Sequence, residues 1–177
     1  MHIYLIGYRG SGKSTVGRLL AQRLSRPHVD SDDLIESESG MTIKDIFATK
    51  GEPWFRDLEA KIVAEISARP QPTVVALGGG AILRESSQTI LKGTGKCVWL
   101  SAGAEYLFGR IQSDQATQLR RPNLSHSGGF AEVVDILAKR TLIYERLSDL
   151  TVAVEGKTPD DICDEISDYI NSANAER

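Results

Sequence analysis

Short apolar segments alternate with amphipathic segments along the chain. Runs rich in β-branched residues predict strands at residues 2–6, 28–30, 73–77, 96–100 and 150–154. Helical periodicity predicts helices at residues 13–24, 42–48, 53–68, 84–92, 103–113, 130–147 and 158–172. An alternation of strands and helices is typical of a parallel sheet that is covered by helices on both faces. We therefore predict an α/β fold with three layers, α/β/α.

Length, charge and cysteine content narrow the class of protein. The 177 residues fit a single domain, and no repeat or low-complexity segment divides residues 1–177. A formal charge of −3 with scattered basic residues gives no footprint for a nucleic acid or a membrane surface. No apolar run is long enough for a signal peptide or a membrane span, so we expect a cytoplasmic protein, which we take to be a monomer. Cys97 and Cys163 have no Cys or His at metal-ligand spacing, and we expect buried, reduced thiols.

A glycine-rich segment joins the first predicted strand to the first predicted helix. Residues 7–15 read GYRGSGKST and match G-x-x-x-x-G-K-[ST], the phosphate-binding loop or P-loop. The glycines let successive backbone amides turn around an anion, and the N-terminus of the next helix adds partial positive charge. Lys13 would reach the outer phosphates, and the Ser14 hydroxyl would be a ligand of Mg²⁺. This segment predicts binding of a nucleoside triphosphate.

Acidic residues follow the second predicted strand. In an extended backbone, Asp30 and Asp32 point to one side and Asp33 to the other. The carboxyl ends of parallel strands face the ligand crevice, so we expect Asp30 and Asp32 near the phosphates. One carboxylate could hold Mg²⁺ through water while the other orients the acceptor hydroxyl. The alternative is helix capping, which we assign to Asp33 because Asp33-x-x-Glu36 fits a capping box, and which could extend to Asp32.

Two arginines lie at or beside the apolar stripes of predicted helices. Arg56 lies one position off the stripe of its helix, where its planar guanidinium could bind a ligand carboxylate. A surface ion pair with Asp57 or Glu59 explains Arg56 equally well. Arg140 points inward or to the edge of the buried stripe of its helix. An inward arginine needs an anion, which either the protein or a ligand could supply.

The third predicted strand runs into Gly78, Gly79 and Gly80, which we call the glycine segment. Three glycines at a strand end either make a tight turn or let a ligand approach the backbone, and their location favours the ligand. No aspartate ends this strand, so the usual second metal carboxylate of P-loop enzymes is missing. We name Asp30 as its substitute.

The polar stretch at residues 113–129 is longer than a routine connection and contains Arg120 and Arg121. Arginine pairs in such stretches are ordinarily solvated, but an arginine on a lid can also move over the phosphates of a phosphoryl-transfer site. We expect a lid that is mobile without ligands and closes when both substrates are bound. The sequence leaves open whether Arg120 or Arg121 would contact the phosphates.

Together these segments resemble the shikimate kinases, a family related in fold to the nucleoside monophosphate kinases. The resemblance extends over nearly the whole chain. It is carried by residues 7–15, Asp30-Ser31-Asp32, Gly51-Glu52-x-x-Phe55-Arg56-x-x-Glu59, Gly78-Gly79-Gly80, Arg121-Pro122 and Arg140-x-x-x-Tyr144. It implies a P-loop kinase fold with strand order 2-3-1-4-5. It also implies transfer of the γ-phosphate of ATP to the 3-hydroxyl of shikimate, in the route to chorismate and aromatic amino acids.

The resemblance further implies a role for individual residues. The phosphates of ATP would be bound by Lys13, by Arg121 and by the amides of Gly10, Ser11, Gly12, Lys13, Ser14 and Thr15. Arg110 and the region of Pro159 would lie beside the adenine. The metal ligands would be Ser14 directly and Asp30 through water. The shikimate contacts would be Asp32, Arg56, Arg140 and the glycine segment, Gly78, Gly79 and Gly80. The catalytic residues would be Lys13, Arg121 and Asp32, with Asp32 as the base.

Two other functions stay open at this point. A related small-molecule kinase, such as gluconate kinase, would use the same phosphate-binding residues. Against it stand the glycine segment and two arginines, Arg56 and Arg140, that are placed for one carboxylate. A nucleotide-binding regulatory domain without catalysis is the other possibility. Against it, the chain retains every polar residue that phosphoryl transfer requires, namely Lys13, Ser14, Asp30, Asp32 and Arg121.

Overall fold

A five-stranded parallel sheet forms the centre of the protein. The structure is a computed structural model that describes residues 1–113 and 129–175. The strands are β1 (His2–Ile6), β2 (His28–Asp30), β3 (Val74–Ala76), β4 (Gly95–Ser101) and β5 (Leu150–Ala153). They are arranged in the order β2-β3-β1-β4-β5, with β1 between β3 and β4. The predicted strands and the strand order that the resemblance implied are both confirmed.

Eight helices occur in the described residues. They are α1 (Lys13–Arg23), α2 (Ser31–Ser39), α3 (Ile43–Thr49), α4 (Gly51–Ser67), α5 (Glu85–Thr94), α6 (Ala104–Ser113), α7 (Gly129–Leu147) and α8 (Pro159–Ala175). Several begin where the sequence supplies a cap. The side chain of Thr42 accepts a hydrogen bond from the Asp45 amide at α3, and Thr158 accepts one from the Asp161 amide at α8. All predicted helices are present, and α2 is an additional one.

Alternate residues of the strands point to opposite faces of the sheet and enter two separate cores. Tyr4, Ile6, Val75, Cys97 and Trp99 pack against α2, α3, α4, α5 and α7 on one face. Ile3, Leu5, Val74, Val98 and Val152 pack against α1 and α8 on the other. Each buried aliphatic side chain contributes about 1.5–3 kcal/mol to folding. This arrangement confirms the three-layer α/β/α prediction.

The backbone is extended as far as Asp30, the last residue of β2, but it is helical at Ser31 and Asp32, where we assumed an extended conformation. Asp30 is the N-cap of α2, and its Oδ1 accepts a hydrogen bond from the Asp32 amide at 3.0 Å. The prediction that Asp33 caps this helix is therefore wrong. Asp33 is exposed in the first turn, where its negative charge still favours the helix N-terminus. Glu36 completes no capping box and instead accepts a hydrogen bond from the Ile43 amide.

The two cysteines are buried and unbridged, as expected. Among the helices of residues 1–113 and 129–175, none combines the length and the apolar character that a membrane span requires.

Candidate active site

The P-loop leaves the C-terminal end of β1 and leads directly into α1. Gly7, Gly10 and Gly12 have positive φ angles of 142°, 83° and 91°, a conformation that favours glycine. A Cβ atom on Gly7 would also lie 2.6 Å from the carbonyl oxygen of Leu100. Gly12 is the N-cap of α1, so the amides and the helix dipole at this end act together on an anion. The sequence therefore requires glycines here both for conformation and for space.

A cleft of about 610 Å³ opens in front of this loop. Its described lining is Arg9, Gly10, Gly12, Lys13, Ser14, Thr15, Asp30, Asp32, Leu77, Gly78, Gly79, Tyr106, Arg110, Ile111 and Ser113. Most of the residues that the sequence assigned to ATP, metal and substrate are in this set. The exceptions among described residues are Ser11, Arg56, Gly80, Arg140 and Pro159.

The cleft has the polar groups that phosphates need. The Lys13 ammonium donates hydrogen bonds to the carbonyl oxygens of Gly7 and Tyr8, both at 2.8 Å. It is therefore held at the mouth of the loop, within reach of an anion in the cleft. The Ser11 side chain is buried instead of facing the cleft. Only its backbone amide can serve a ligand, which is the role that the resemblance implied.

Ser14 and Asp30 form the candidate metal site. The Ser14 hydroxyl donates a hydrogen bond to Oδ2 of Asp30 at 2.6 Å, and both residues line the cleft. Burial, reinforced by the nearby charge of Asp32, raises the pKa of the Asp30 carboxyl above 3.8. A bound cation would offset this penalty on the ionised form. A hydroxyl and a carboxylate beside a phosphate-binding loop are oxygen donors of the kind that Mg²⁺ prefers, so these residues fit that ion.

Asp32 lies in the cleft close to the glycine segment. It belongs to the first turn of α2, and the preceding Ser31 accepts a hydrogen bond from the Gly78 amide at 2.8 Å. This contact fixes the start of α2 against the end of β3. Asp30 and Asp32 thus both face the cleft, as predicted, but only Asp30 lies at the end of the strand, whereas Asp32 is placed there by the start of α2.

The two arginines of the sequence analysis lie against consecutive glycines. A Cβ atom on Gly79 would be 3.3 Å from a terminal nitrogen of Arg140, and one on Gly80 would overlap the guanidinium of Arg56. Tyr144, one turn after Arg140, donates a hydrogen bond to the Gly79 carbonyl at 2.9 Å and ties α7 to the glycine segment. Because adjacent Cα atoms are about 3.8 Å apart, the two guanidiniums approach neighbouring parts of the glycine segment.

The two arginines differ in their protein partners. Arg56 forms ion pairs with Glu59 at 2.6 Å and with Glu52 at 3.0 Å. Of the two ion-pair partners considered for Arg56, Glu59 therefore forms the pair, whereas Asp57 pairs with Arg84 instead. Arg140 is only 7% exposed, and its guanidinium carbon lies 5.8 Å from the centre of the Tyr8 ring. Among residues 1–113 and 129–175, no carboxylate forms an ion pair with it.

Arg110 lines the cleft at the end formed by α6. Its guanidinium lies 5.8 Å from the centre of the Tyr106 ring and donates a hydrogen bond to the Tyr106 hydroxyl at 3.2 Å. Pro159, which the resemblance placed beside the adenine, is the first residue of α8 and is not part of the cleft lining. Arg120, Arg121 and nearly all of the predicted lid lie outside the described residues.

Sequence reasoning missed Tyr8, Arg9 and Glu132 as residues of the site. Arg9 lines the cleft and forms an ion pair with Glu132 at 3.1 Å, while Tyr8 is buried beneath both Arg9 and Arg140. One signal in the sequence was that two bulky residues, Tyr8 and Arg9, occupy positions of the P-loop motif that accept any residue. The other was Glu132, eight residues before Arg140, a spacing that keeps both within the broad buried stripe of the helix.

Comparisons with known proteins identify the family of this chain. The shikimate kinase family model matches residues 9–171. A shikimate kinase of Rhodopirellula baltica is 45% identical over 165 residues, which are 93% of this chain and 88% of that protein. The structure of shikimate kinase from Acinetobacter baumannii in complex with shikimate superposes with a TM-score of 0.90 at 34% identity, covering 97% of this chain and 93% of that one. Shikimate kinase from Aquifex aeolicus gives a TM-score of 0.83 at 32% identity, covering 98% of both chains. The chain therefore belongs to the shikimate kinase family.

Proposed function

We propose that this protein transfers the γ-phosphate of ATP to the 3-hydroxyl of shikimate, which yields shikimate 3-phosphate and ADP. The observation that carries the proposal is the convergence of Arg56 and Arg140 on Gly79 and Gly80, at the edge of a P-loop cleft. Two guanidiniums side by side are suited to one carboxylate, which shikimate has. Family membership supports the same reaction.

The phosphates of ATP are held by the P-loop amides of residues 10–15 and by Lys13. These donors are fixed before the substrate arrives, so they stabilise charge on the transferred group without reorganising. Arg110 supplies a planar cation at the α6 end of the cleft, where it can stack on the adenine. We assign Arg121 a contact with the transferred phosphate because Arg121-Pro122 matches the family motif in the sequence.

Ser14 and Asp30 are the residues that would hold Mg²⁺, Ser14 through its hydroxyl and Asp30 through water. The metal supplies positive charge that neutralises the phosphate oxygens when it is bound. Ionised Asp30 is required for this role. Its carboxylate accepts hydrogen bonds from Ser14 and the Asp32 amide, which orient it toward the cleft.

Arg56 and Arg140 bind the shikimate carboxylate and thereby orient the ring. The glycine segment lets the ring lie close to the backbone, and Asp32 accepts a hydrogen bond from the 3-hydroxyl. When the hydroxyl oxygen attacks the γ-phosphate, Asp32 receives its proton. Because the acceptor is anchored by its carboxylate, its hydroxyl is presented to the phosphate in one orientation.

An assay of ADP release with several acceptors tests this proposal. We expect Mg²⁺-dependent release of ADP with shikimate, and little with gluconate or nucleoside monophosphates. Faster turnover with gluconate would instead support the related small-molecule kinase. Binding of ATP without acceptor-dependent release of ADP for any of these compounds would support the regulatory domain.

A further inference from the structure

A buried ion pair joins the P-loop to the first turn of α7. A terminal nitrogen of Arg9 lies 3.1 Å from a carboxylate oxygen of Glu132, and their side chains are 12% and 0% exposed. The two residues are 123 positions apart in the sequence. Removing two charges from water carries a large desolvation penalty, so such a pair adds little net stability. A role in fixing geometry accounts for it better.

The same helix carries Arg140. Eight residues separate Glu132 from Arg140, a rise of about 12 Å along the helix axis. The Tyr8 ring lies near both arginines: its centre is 5.9 Å from the guanidinium carbon of Arg9, the partner of Glu132, and 5.8 Å from that of Arg140. Tyr8 is itself 1% exposed and cannot move independently of its neighbours.

The glycine segment closes this set of contacts. A Cβ atom on Gly79 would be 3.4 Å from the Gly7 carbonyl oxygen and 3.7 Å from the Arg9 amide nitrogen, as well as 3.3 Å from Arg140. The P-loop, Gly79 and Arg140 are therefore close neighbours, and a methyl group on Gly79 would touch all of them. Any displacement of α7 relative to the P-loop would also displace the Arg140 guanidinium relative to the bound phosphates.

Charge leads to the same conclusion. Arg9 and Arg140 both approach one aromatic ring, where two like charges repel each other in a poorly solvated region. Glu132 compensates the charge of Arg9. The anion that Arg140 requires is then left for the ligand to supply.

We propose that Arg9 and Glu132 are positioning residues, whose ion pair holds α7 against the P-loop and thereby places Arg140 for the shikimate carboxylate. This inference rests on the proposed role of Arg140. It predicts that the effect of Glu132 on shikimate binding passes through Arg140.

The test combines Glu132→Gln and Arg140→Met in a double-mutant cycle, with shikimate affinity measured by NMR titration. We expect Glu132→Gln to weaken shikimate binding about fivefold in the wild-type background and to have almost no effect when Arg140 is already Met. Asp135→Asn is the matched control, since Asp135 is an exposed carboxylate one turn further along the same helix. It should leave the affinity unchanged.

The outcomes separate this inference from the proposed function. If Arg140→Met weakens binding but Glu132→Gln is equally harmful in both backgrounds, the positioning role is wrong and the function stands. If Arg140→Met leaves the affinity unchanged, the role of Arg140 and this inference both fail.

A second pair of variants approaches the contact from the P-loop, in case Glu132→Gln does not fold. Arg9→Lys keeps the ion pair and should retain most of the shikimate affinity, whereas Arg9→Met should lose about fivefold. Wild-type affinity in Arg9→Met would overturn the inference.

Discussion

Under the proposed function, we expect recognition of the acceptor to depend most on Arg140. It is buried on α7 against Gly79 and Tyr8, and the described part of the chain gives it no carboxylate partner. A buried guanidinium of this kind is stabilised by a ligand anion. Arg56 differs because it already pairs with Glu52 and Glu59. We therefore expect Arg56 to contribute more to the shape of the proposed shikimate site than to its charge.

The first prediction concerns Arg140→Lys, which keeps the charge but removes the planar pair of donors. Shikimate affinity should fall by about 1–3 kcal/mol, with ATP affinity much less changed. Calorimetric titration of each ligand measures both. Arg146→Lys is the control on the exposed side of the same helix and should change neither. Equal losses for both ligands would mean that Arg140 is structural.

The second prediction concerns Asp30→Asn. Burial raises the pKa of the Asp30 carboxyl, so the native state of the wild type loses stability as pH rises from 3.8 through the folded pKa. Asn avoids this loss and still caps α2, so the variant should be more stable at neutral pH by up to about 1 kcal/mol. Its Mg²⁺-dependent turnover should nevertheless fall severely.

Urea unfolding of the wild type and of Asp30→Asn at several pH values tests whether the variant is the more stable of the two. The difference in unfolding free energy should be smallest below pH 3.8 and should increase toward neutral pH. A variant that is less stable than the wild type at neutral pH would show that ionised Asp30 stabilises the fold.

Among the elements, the glycine segment connects the most parts of the site. Gly78 donates to Ser31 at the start of α2, Gly79 accepts from Tyr144 of α7, and Gly80 packs on Arg56 of α4. The segment therefore positions residues from three helices around one end of the cleft. The backbone of Gly80 is not in the positive-φ region, so a larger residue there is opposed by space alone.

The third prediction follows from that packing. In Gly80→Ala the new methyl group must displace the Arg56 guanidinium, so shikimate affinity should drop about tenfold, or ~1.4 kcal/mol. ATP affinity should change little. In the control Gly93→Ala, the methyl group on α5 meets open space, and the gain in helix propensity should stabilise the protein by about 0.5–1 kcal/mol. Unchanged shikimate affinity in Gly80→Ala would remove Arg56 from the site.

Some helices and strands could be predicted from the sequence, and one helix could not. The strands and the P-loop were predictable because their signals are local: apolar runs in one case and fixed spacing in the other. Helix α2 was missed because it has nine residues, mostly acidic or Ser, and only Leu34 and Ile35 are apolar. Asp30 and Asp32 were placed in the cleft correctly, but the helix start that places Asp32 there was not foreseen.

Long-range partners were beyond the reach of sequence patterns. Arg56 has Glu59 as its partner because residues three apart share a helix face, whereas Asp57 points elsewhere and pairs with Arg84. The sequence left that choice open. The pair between Arg9 and Glu132 depends on how α7 packs against the P-loop, and no local pattern encodes that packing.

In the part of the chain that the structure describes, a large core lies on each face of the sheet, and one cysteine lies in each of these two. Cys97 belongs to the core beneath α4 and α7, and Cys163 to the core between α1 and α8. Both are 0% exposed. Burial raises the pKa of the Cys97 thiol to about 12 and that of the Cys163 thiol to about 11. Neither thiol is significantly ionised at neutral pH, so neither is reactive in the native state.

The fourth prediction uses these thiols as probes of each core. At neutral pH, a thiol reagent should modify neither cysteine of the native protein on the timescale of its reaction with a free thiol. Both should react together in urea, with a midpoint that matches the loss of helical circular dichroism. Mass spectrometry of partly modified protein identifies the site. Selective early modification of one cysteine would show that the core around it opens independently.

The most direct measurement of the central claim is ³¹P NMR of the protein incubated with ATP, Mg²⁺ and shikimate. The account predicts one new phosphomonoester signal that couples to the proton on carbon 3 of shikimate and grows in step with ADP. Asp32→Asn, which keeps the shape but removes the charge that accepts the hydroxyl proton, should form this signal far more slowly while still binding ATP. Inorganic phosphate as the only new species besides ADP, or a phosphoester at a different hydroxyl, would contradict the proposed reaction.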